Sequence, residues 1–230
     1  MKCIGLIGGM SWESTALYYR SINEDVRKRR GAPRSAHILL HSLDFGEIFT
    51  LQERGEWKRL EAIVTASAVT LERAGADLLL ICSNTMHAVA KAVSTAVSIP
   101  LLHIADAAGK AARERGLERV GVLGTKLTME GSLYRKQFCD NWGLDVLLPE
   151  EDEQQCIDAI IFRELCRGIV SETGREQCLA VIDRLASRGA EGIILGCTEL
   201  PLLLSGMKTA VPLLDTTALH AAAAVEMALS

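Results

Sequence analysis

Two stretches decide the fold: residues 74–85, AGADLLLICSNT, and residues 188–199, RGAEGIILGCTE. Each opens on a small-residue turn, runs through a block of apolar residues, and stops at a nucleophile followed by polar residues. An apolar run without polar alternation is what a strand covered on both faces of a parallel sheet requires. The same pattern recurs in CIGLIG (3–8), HILLHSL (37–43), VGVLG (120–124), LDVLLP (144–149) and VPLLD (211–215). Longer amphipathic stretches such as GEWKRLEAIVTASAVTLERAG (55–75) separate them. Alternation of this kind predicts parallel strands joined by helices.

The two stretches also align with each other, at an offset of 114 residues. IGLIGG (4–9) aligns with VGVLGT (120–125) at an offset of 116, which carries on from Leu17-Tyr18 to Leu133-Tyr134. IPLLHIADAAGKAA (99–112) aligns with VPLLDTTALHAAAA (211–224) at an offset of 112. Three blocks in one order, with offsets drifting by two residues each, mark an internal repeat. The expected architecture is two related α/β halves about a pseudo-twofold axis. Ligands of open parallel sheets sit beyond the carboxyl ends of the strands, so Ser83 and Cys197 are expected to face one another across a shared cleft.

Register separates the neighbours Cys82 and Ser83. Successive residues of a strand point to opposite faces, and the repeat pairs Cys197 with Ser83 and Gly196 with Cys82. Cys82 is therefore expected to be a small buried hydrophobe, as are Cys3, Cys139, Cys156, Cys166 and Cys178. Cys197 follows a glycine and precedes Thr198-Glu199-Leu200-Pro201, which reads as a helix start with its acid in the first turn and a proline near N1. A thiol there is expected to have its thiolate stabilised by unpaired N–H groups, which would also bind a substrate carboxylate.

Composition narrows the function classes. The 230 residues are 49% hydrophobic and 23% charged, enough for a sizeable core. Against 25 Lys+Arg stand 29 Asp+Glu, a net charge of -4 with no long block of either sign, which points away from nucleic acid and membrane surfaces and toward a small molecule. The N-terminus MKCIGLIGGMSW carries no signal-peptide pattern. Seven cysteines without a CxxC pair suit reduced thiols in a cytoplasm and no metal site. GLIGGM lacks nucleotide-binding spacing, and nothing like HExxH is present.

The paired strand-end motifs NT (84–85) and GCTE (196–199), the opening IGLIGGMSW (4–12) and the closing PLLDTTALHAAAAV (212–225) resemble the aspartate/glutamate racemase family over essentially the whole chain. The resemblance implies an α/β enzyme of two pseudo-symmetric Rossmann-like halves, each a small parallel sheet flanked by helices, with its active site in the inter-domain cleft. It implies a first domain over residues 1–104, completed by a C-terminal helix over 215–230, and a second over 105–214. It further implies a homodimer that inverts the α-carbon of an acidic amino acid without pyridoxal phosphate or another cofactor. It implies that two acid/base residues on opposite faces, Ser83 and Cys197, carry the chemistry. Met10, Gln52, Ser83, Asn84, Thr85, Thr198 and Glu199 match substrate-contacting positions, with Gln52 placed in a loop.

One departure matters: the family normally has cysteine at both catalytic positions, and here the first is serine. A thiol titrates near ~8.5 whereas an alkanol is a far weaker acid, so Cys197 is expected to be the main base and the enzyme to favour one enantiomer. His87, four residues past Ser83, and His220 are candidates for relays or for local packing. Asp215 is expected to cap the last helix, and Arg54 and Arg163 to be solvated charges rather than substrate ligands. A single-cysteine decarboxylase or isomerase of the same superfamily, or a non-catalytic amino-acid-binding protein, is compatible with the same residues.

Overall fold

The structure is a computed structural model that describes the backbone of residues 1–230 and the side chains of all but Ser132 and Leu133. The Leu133 member of the repeat therefore lies outside the described side chains. The chain divides into two compact units, Met1–Ile104 with His220–Ser230, and Ala105–Leu219.

In the first unit the order is β1 (Ile4–Gly8), α1 (Trp12–Arg30), β2 (Ile38–Ser42), α2 (Phe45–Glu53), α3 (Trp57–Arg73), β3 (Leu78–Ile81), a 3-10 turn (Thr85–Val89), α4 (Ala90–Ala96), β4 (Leu101–Leu102) and the first residue of α5 (Ile104–Glu114). The second unit continues with β5 (Arg119–Gly124), α6 (Lys126–Glu130), α7 (Ser132–Trp142), β6 (Asp145–Leu147), α8 (Glu151–Arg163), a 3-10 turn (Leu165–Arg167), α9 (Glu172–Ser187), β7 (Gly192–Gly196), α10 (Leu200–Leu204) and β8 (Leu213–Asp215). The last helix, α11 (Thr216–Leu229), begins in the second unit and ends in the first.

Each unit holds one four-stranded parallel sheet, ordered β2-β1-β3-β4 in the first and β6-β5-β7-β8 in the second. The strand permutation is the same, which is what the internal repeat predicts. β1, β3 and β7 are buried along their whole length and β5 at all but its first residue, whereas β2, β4 and β6 are partly exposed edges. Full burial thus belongs to the central strands only, since the remaining edge, β8, is partly exposed as well. β4, two residues long, falls within the repeat but is too short to stand out as a run of its own.

Alternation along the central strands divides the core. Leu79 and Ile81 pack with Ile7, Leu60, Val64 and Val93 on one side of the first sheet. Leu78, Leu80 and Cys82 pack on the other with Ile4, Tyr18 and the α11 residues Ala221, Ala224 and Val225. In the second unit Ile193, Leu195 and Cys197 face the α8–α9 cluster, and Ile194 faces Tyr134 and Phe138. Burying each such aliphatic side chain is worth about 1.5–3 kcal/mol.

Local signals fix where the elements start. Ser11 accepts the Ser14 N–H at the start of α1, and basic residues occupy its last turn, where the helix dipole favours them. Gly9, at the end of β1, has φ of 85°, and a Cβ there would lie 2.1 Å from the Leu43 carbonyl oxygen. Only glycine allows that approach between the β1 and β2 ends. Asp215 Oδ1 accepts the N–H groups of Thr217 and Ala218 at 2.8 and 3.1 Å, the cap expected for α11.

Three cysteines depart from the buried expectation: Cys139 is exposed, and Cys156 and Cys166 are half-buried. Cys139 follows Phe138, which with Tyr134 forms the buried i, i+4 face of α7. One residue further turns the side chain about 100° away from that face, and its thiol donates to the Leu144 carbonyl. No helix among the described residues is long and apolar enough to cross a membrane.

Candidate active site

In the first unit β3 hands the chain to Cys82, Ser83 and Asn84 before the 3-10 turn begins. Cys82 is fully buried, and burial pushes its thiol pKa up, so it is an inert core group. Ser83 and Asn84 are buried and Thr85 half-buried. The Ser83 hydroxyl accepts the Met86 N–H at 3.4 Å, a local cap on the turn.

His87 joins this turn to a second strand end. Its Nδ1 lies 2.7 Å from the Ser83 carbonyl oxygen and its Nε2 3.1 Å from the Ile104 nitrogen. A carbonyl only accepts and a backbone N–H only donates, so Nδ1 carries the proton and Nε2 the lone pair. The nearby Leu102 carbonyl accepts from His220 Nε2 at 2.9 Å. The same argument protonates His220 at Nε2, with Nδ1 accepting from the Tyr18 hydroxyl at 2.8 Å. Burial, then neighbouring imidazoles, hold His87 well below its usual pKa, and burial brings His220 to about 3. Both rings are neutral with both nitrogens engaged, which suits local packing and not proton relay.

Met10 and Gln52 lie in the same unit. Met10 is buried against Ile7, Ile48 and Met86, just past the β1 end. Gln52 belongs to the last turn of α2 and not to a loop: Asp44 caps that helix, and the helical run 45–53 carries its apolar residues Ile48 and Leu51 into the core. Arg54 and Arg163 are exposed at helix ends, as solvated charges.

In the second unit the end of β7 is built differently. Gly196 lies so close to β5 that a Cβ would sit 3.1 Å from the Leu123 carbonyl oxygen, and Cys197, Thr198 and Glu199 follow, all buried. Glu199 is the N-cap residue of α10 and not part of its first turn. Its carboxylate turns back: Oε2 accepts from the Thr198 hydroxyl at 2.7 Å and from the Cys197 thiol at 3.0 Å.

That contact overturns the expected thiolate. Burial, the Glu199 charge and its hydrogen bond raise the Cys197 pKa well above its usual value, and a Glu199 N–H contact pulls it down by less. α10 has five residues, too few for a strong dipole, and the charge nearest the sulfur is negative. The resting group is a thiol already donating to the carboxylate that can take its proton.

One further group was not marked as a site residue in the sequence. Tyr134 is fully buried; burial first and then the Cys197 charge raise its phenol pKa, which places it within electrostatic reach of the sulfur. The repeat pairs it with Tyr18, a signal that could have drawn attention to it. Asp215 ends β8, and burial raises its pKa despite two N–H contacts that lower it.

The chain is similar to known proteins along nearly its whole length. The family model described as Asp/Glu/Hydantoin racemase matches residues 7–224. A candidate Asp/Glu racemase from Yersinia pestis is 45% identical over the whole of both chains, with a TM-score of 0.94. An aspartate racemase homologue from Pyrococcus horikoshii OT3 is 35% identical, again over the whole of both chains, with a TM-score of 0.87. The broad specificity amino-acid racemase RacX of Bacillus subtilis is 25% identical over 94% of this chain and 93% of its own. A repeat that builds the same sheet twice, ended in each copy by polar residues the sequence had singled out, is matched along nearly its full length by racemases, and the chain belongs to the Asp/Glu/Hydantoin racemase family.

Proposed function

We propose that this enzyme interconverts the enantiomers of an acidic amino acid, aspartate or glutamate, independently of pyridoxal phosphate, with Cys197 as the main base and Ser83 as the acid on the opposite face. The observation that carries the reading is the equivalent placement of Ser83 and Cys197 at the carboxyl ends of β3 and β7, in two sheets of the same strand order. Inversion through a carbanion needs one group on each face of the α-carbon, and a duplicated sheet provides one from each copy.

The proposed steps balance in protons. Glu199 takes the thiol proton from Cys197 across the 3.0 Å contact, and the thiolate then removes the α-proton. Negative charge spreads into the substrate carboxylate as an enolate, where preorganised donors are most effective. Asn84, Thr85 and Thr198 lie beside the strand ends as candidates, and Met10 and Gln52 as further substrate contacts. The Ser83 hydroxyl delivers its proton to the other face and is reprotonated by solvent, while Glu199 returns the proton it took to solvent, so that both ends are restored. Because an alkoxide forms poorly, the reverse direction is slow, and one enantiomer is the preferred substrate.

The hydroxyl at position 83 also supports a second reading, in which Cys197 alone protonates a carbanion left by decarboxylation. Incubation with L- and D-aspartate and L- and D-glutamate in deuterated water separates the readings. Racemisation yields the opposite enantiomer, one mass unit heavier at the α-carbon, whereas decarboxylation loses the mass of carbon dioxide. Unaltered, unlabelled substrate in every case would leave a binding protein.

A homodimer in a reducing cytoplasm completes the proposal. The seven cysteines carry no paired spacing, and exposed Trp12, Tyr19 and Leu40 line a groove of about 950 Å³ along α1 and the β2 edge. α1 presents Arg20 and Glu24 to the same groove, a mixed-sign face that a second copy could complement about a twofold axis. Light scattering should give twice the 24.9 kDa chain mass, and half that mass after Trp12→Ala with Tyr19→Ala.

A further inference from the structure

We propose that His87 is a positioning residue for Ser83: a neutral imidazole strut that fixes the peptide after Ser83 and so holds its hydroxyl in register for proton delivery. The inference rests on the racemase reading above and assigns a role to a residue that does not touch the reacting atoms.

The 3-10 turn creates the need for such a strut. In an α-turn the His87 N–H would bond the Ser83 carbonyl; here it bonds the Asn84 carbonyl instead, at 3.1 Å. The Ser83 carbonyl is left without that helical partner in a buried setting, where an unsatisfied acceptor is costly. His87 closes the gap with its side chain, at 2.7 Å. The far nitrogen of the ring accepts from Ile104, the first residue of α5, so one side chain ties the β3 end to the β4–α5 junction.

The surroundings keep the ring in that role. His87 is 1% exposed, and the edges of His103 and His220 pack against it at centroid distances of 4.6 and 5.7 Å. Loss of its proton or its rotation would break these hydrogen bonds in a buried setting, where leaving a polar group unpaired is costly. Because a peptide unit is planar, fixing the Ser83 carbonyl also fixes the direction of the Asn84 N–H and with it ψ of Ser83, which sets the Cα–Cβ bond against that peptide, while the Met86 N–H holds the hydroxyl itself. The repeat places Pro201 at the equivalent position of the second unit, where no such strut is possible and Glu199 contacts the thiol directly.

Two variants test this. His87→Asn keeps a donor close to the Nδ1 position and loses the contact to Ile104; His87→Leu keeps the bulk and loses both contacts. Each is incubated with the preferred enantiomer in deuterated water, following formation of the opposite enantiomer, which needs Ser83, and label entering recovered substrate, which needs only Cys197. We expect His87→Leu to slow formation of the opposite enantiomer at least tenfold in kcat, with KM and label entry within twofold of wild type. His87→Asn should recover most of the lost kcat. Parallel loss of both readouts in a folded protein, equal defects in the two variants, or no defect in either overturns the strut. Should wild type retain its substrate without interconversion or label entry, the racemase reading fails instead. If wild type interconverts without labelling recovered substrate, the rescue by asparagine over leucine decides the matter.

Discussion

The ends of β3 and β7 are the same device built twice with different chemistry. At the first, a hydroxyl is held by backbone: Ser83 Oγ by Met86 N–H and the Ser83 carbonyl by the His87 ring. At the second, a thiol is held by a carboxylate, Glu199, which also takes the Thr198 hydroxyl. One end is arranged around where its side chain points, the other around where its proton goes. The duplicated fold supplies two equivalent positions, and different side chains are set on them.

Breaking the stronger end should cost most. Cys197→Ala is expected to lower both interconversion and α-proton exchange by about 10³-fold, within the range of a general base; wild-type exchange in deuterated water would end the assignment. Ser83→Ala should lower interconversion by about 10²-fold while exchange of the preferred enantiomer continues through Cys197. Ser83→Cys tests the asymmetry from the other side. It should bring the two directions of turnover closer together, and an unchanged bias would place its origin elsewhere.

The first unit should also be the more acid-sensitive, because its buried imidazoles resist protonation. His220 falls from 6.5 in the unfolded chain to about 3 in the fold, and His87 is well below 6.5. Above about pH 6.5 both are neutral folded or unfolded, and their contribution to stability is complete. As pH falls below that value the unfolded chain gains protons that the fold does not, and stability drops by about 1.4 kcal/mol per pH unit for each ring until the folded pKa is passed. Urea unfolding at pH 7, 6 and 5 checks this, and a flat profile would show that the rings titrate normally.

The smallest expected effect has two signs. Glu199→Gln removes the charge that raises the Cys197 pKa, so the thiol should react faster with iodoacetamide, by about tenfold for each unit its pKa falls. Turnover should nevertheless slow, because the proton acceptor is gone. A variant faster in both would make Glu199 a brake on the thiol and not its partner.

Most of the fold was legible in the sequence because the repeat and the apolar runs are signals of burial, and burial dictates the central strands. Gly196-Cys197 and Ser83 stood out for the same reason: each breaks an apolar run at a place where a parallel sheet ends. What resisted reading was local. Gln52 sits in a helix that its polar neighbours Asp44, Glu47 and Glu53 disguise as a loop. Glu199 fits the first turn of a helix in sequence, yet stands one residue before it. Cys139 looks buried by type and is exposed by helical phase.

The sequence by itself determined the duplication, the parallel sheets and the residues that end their central strands, since these follow from apolar periodicity and from comparing the chain with itself. Only the tertiary structure decided the state of those residues. Whether Cys197 is a thiol or a thiolate depends on where the Glu199 carboxylate turns, and whether His87 relays a proton or braces a carbonyl depends on Ile104, seventeen residues away. Protonation and hydrogen-bond direction are set by partners at about 3 Å, and those distances exist only once the chain has folded.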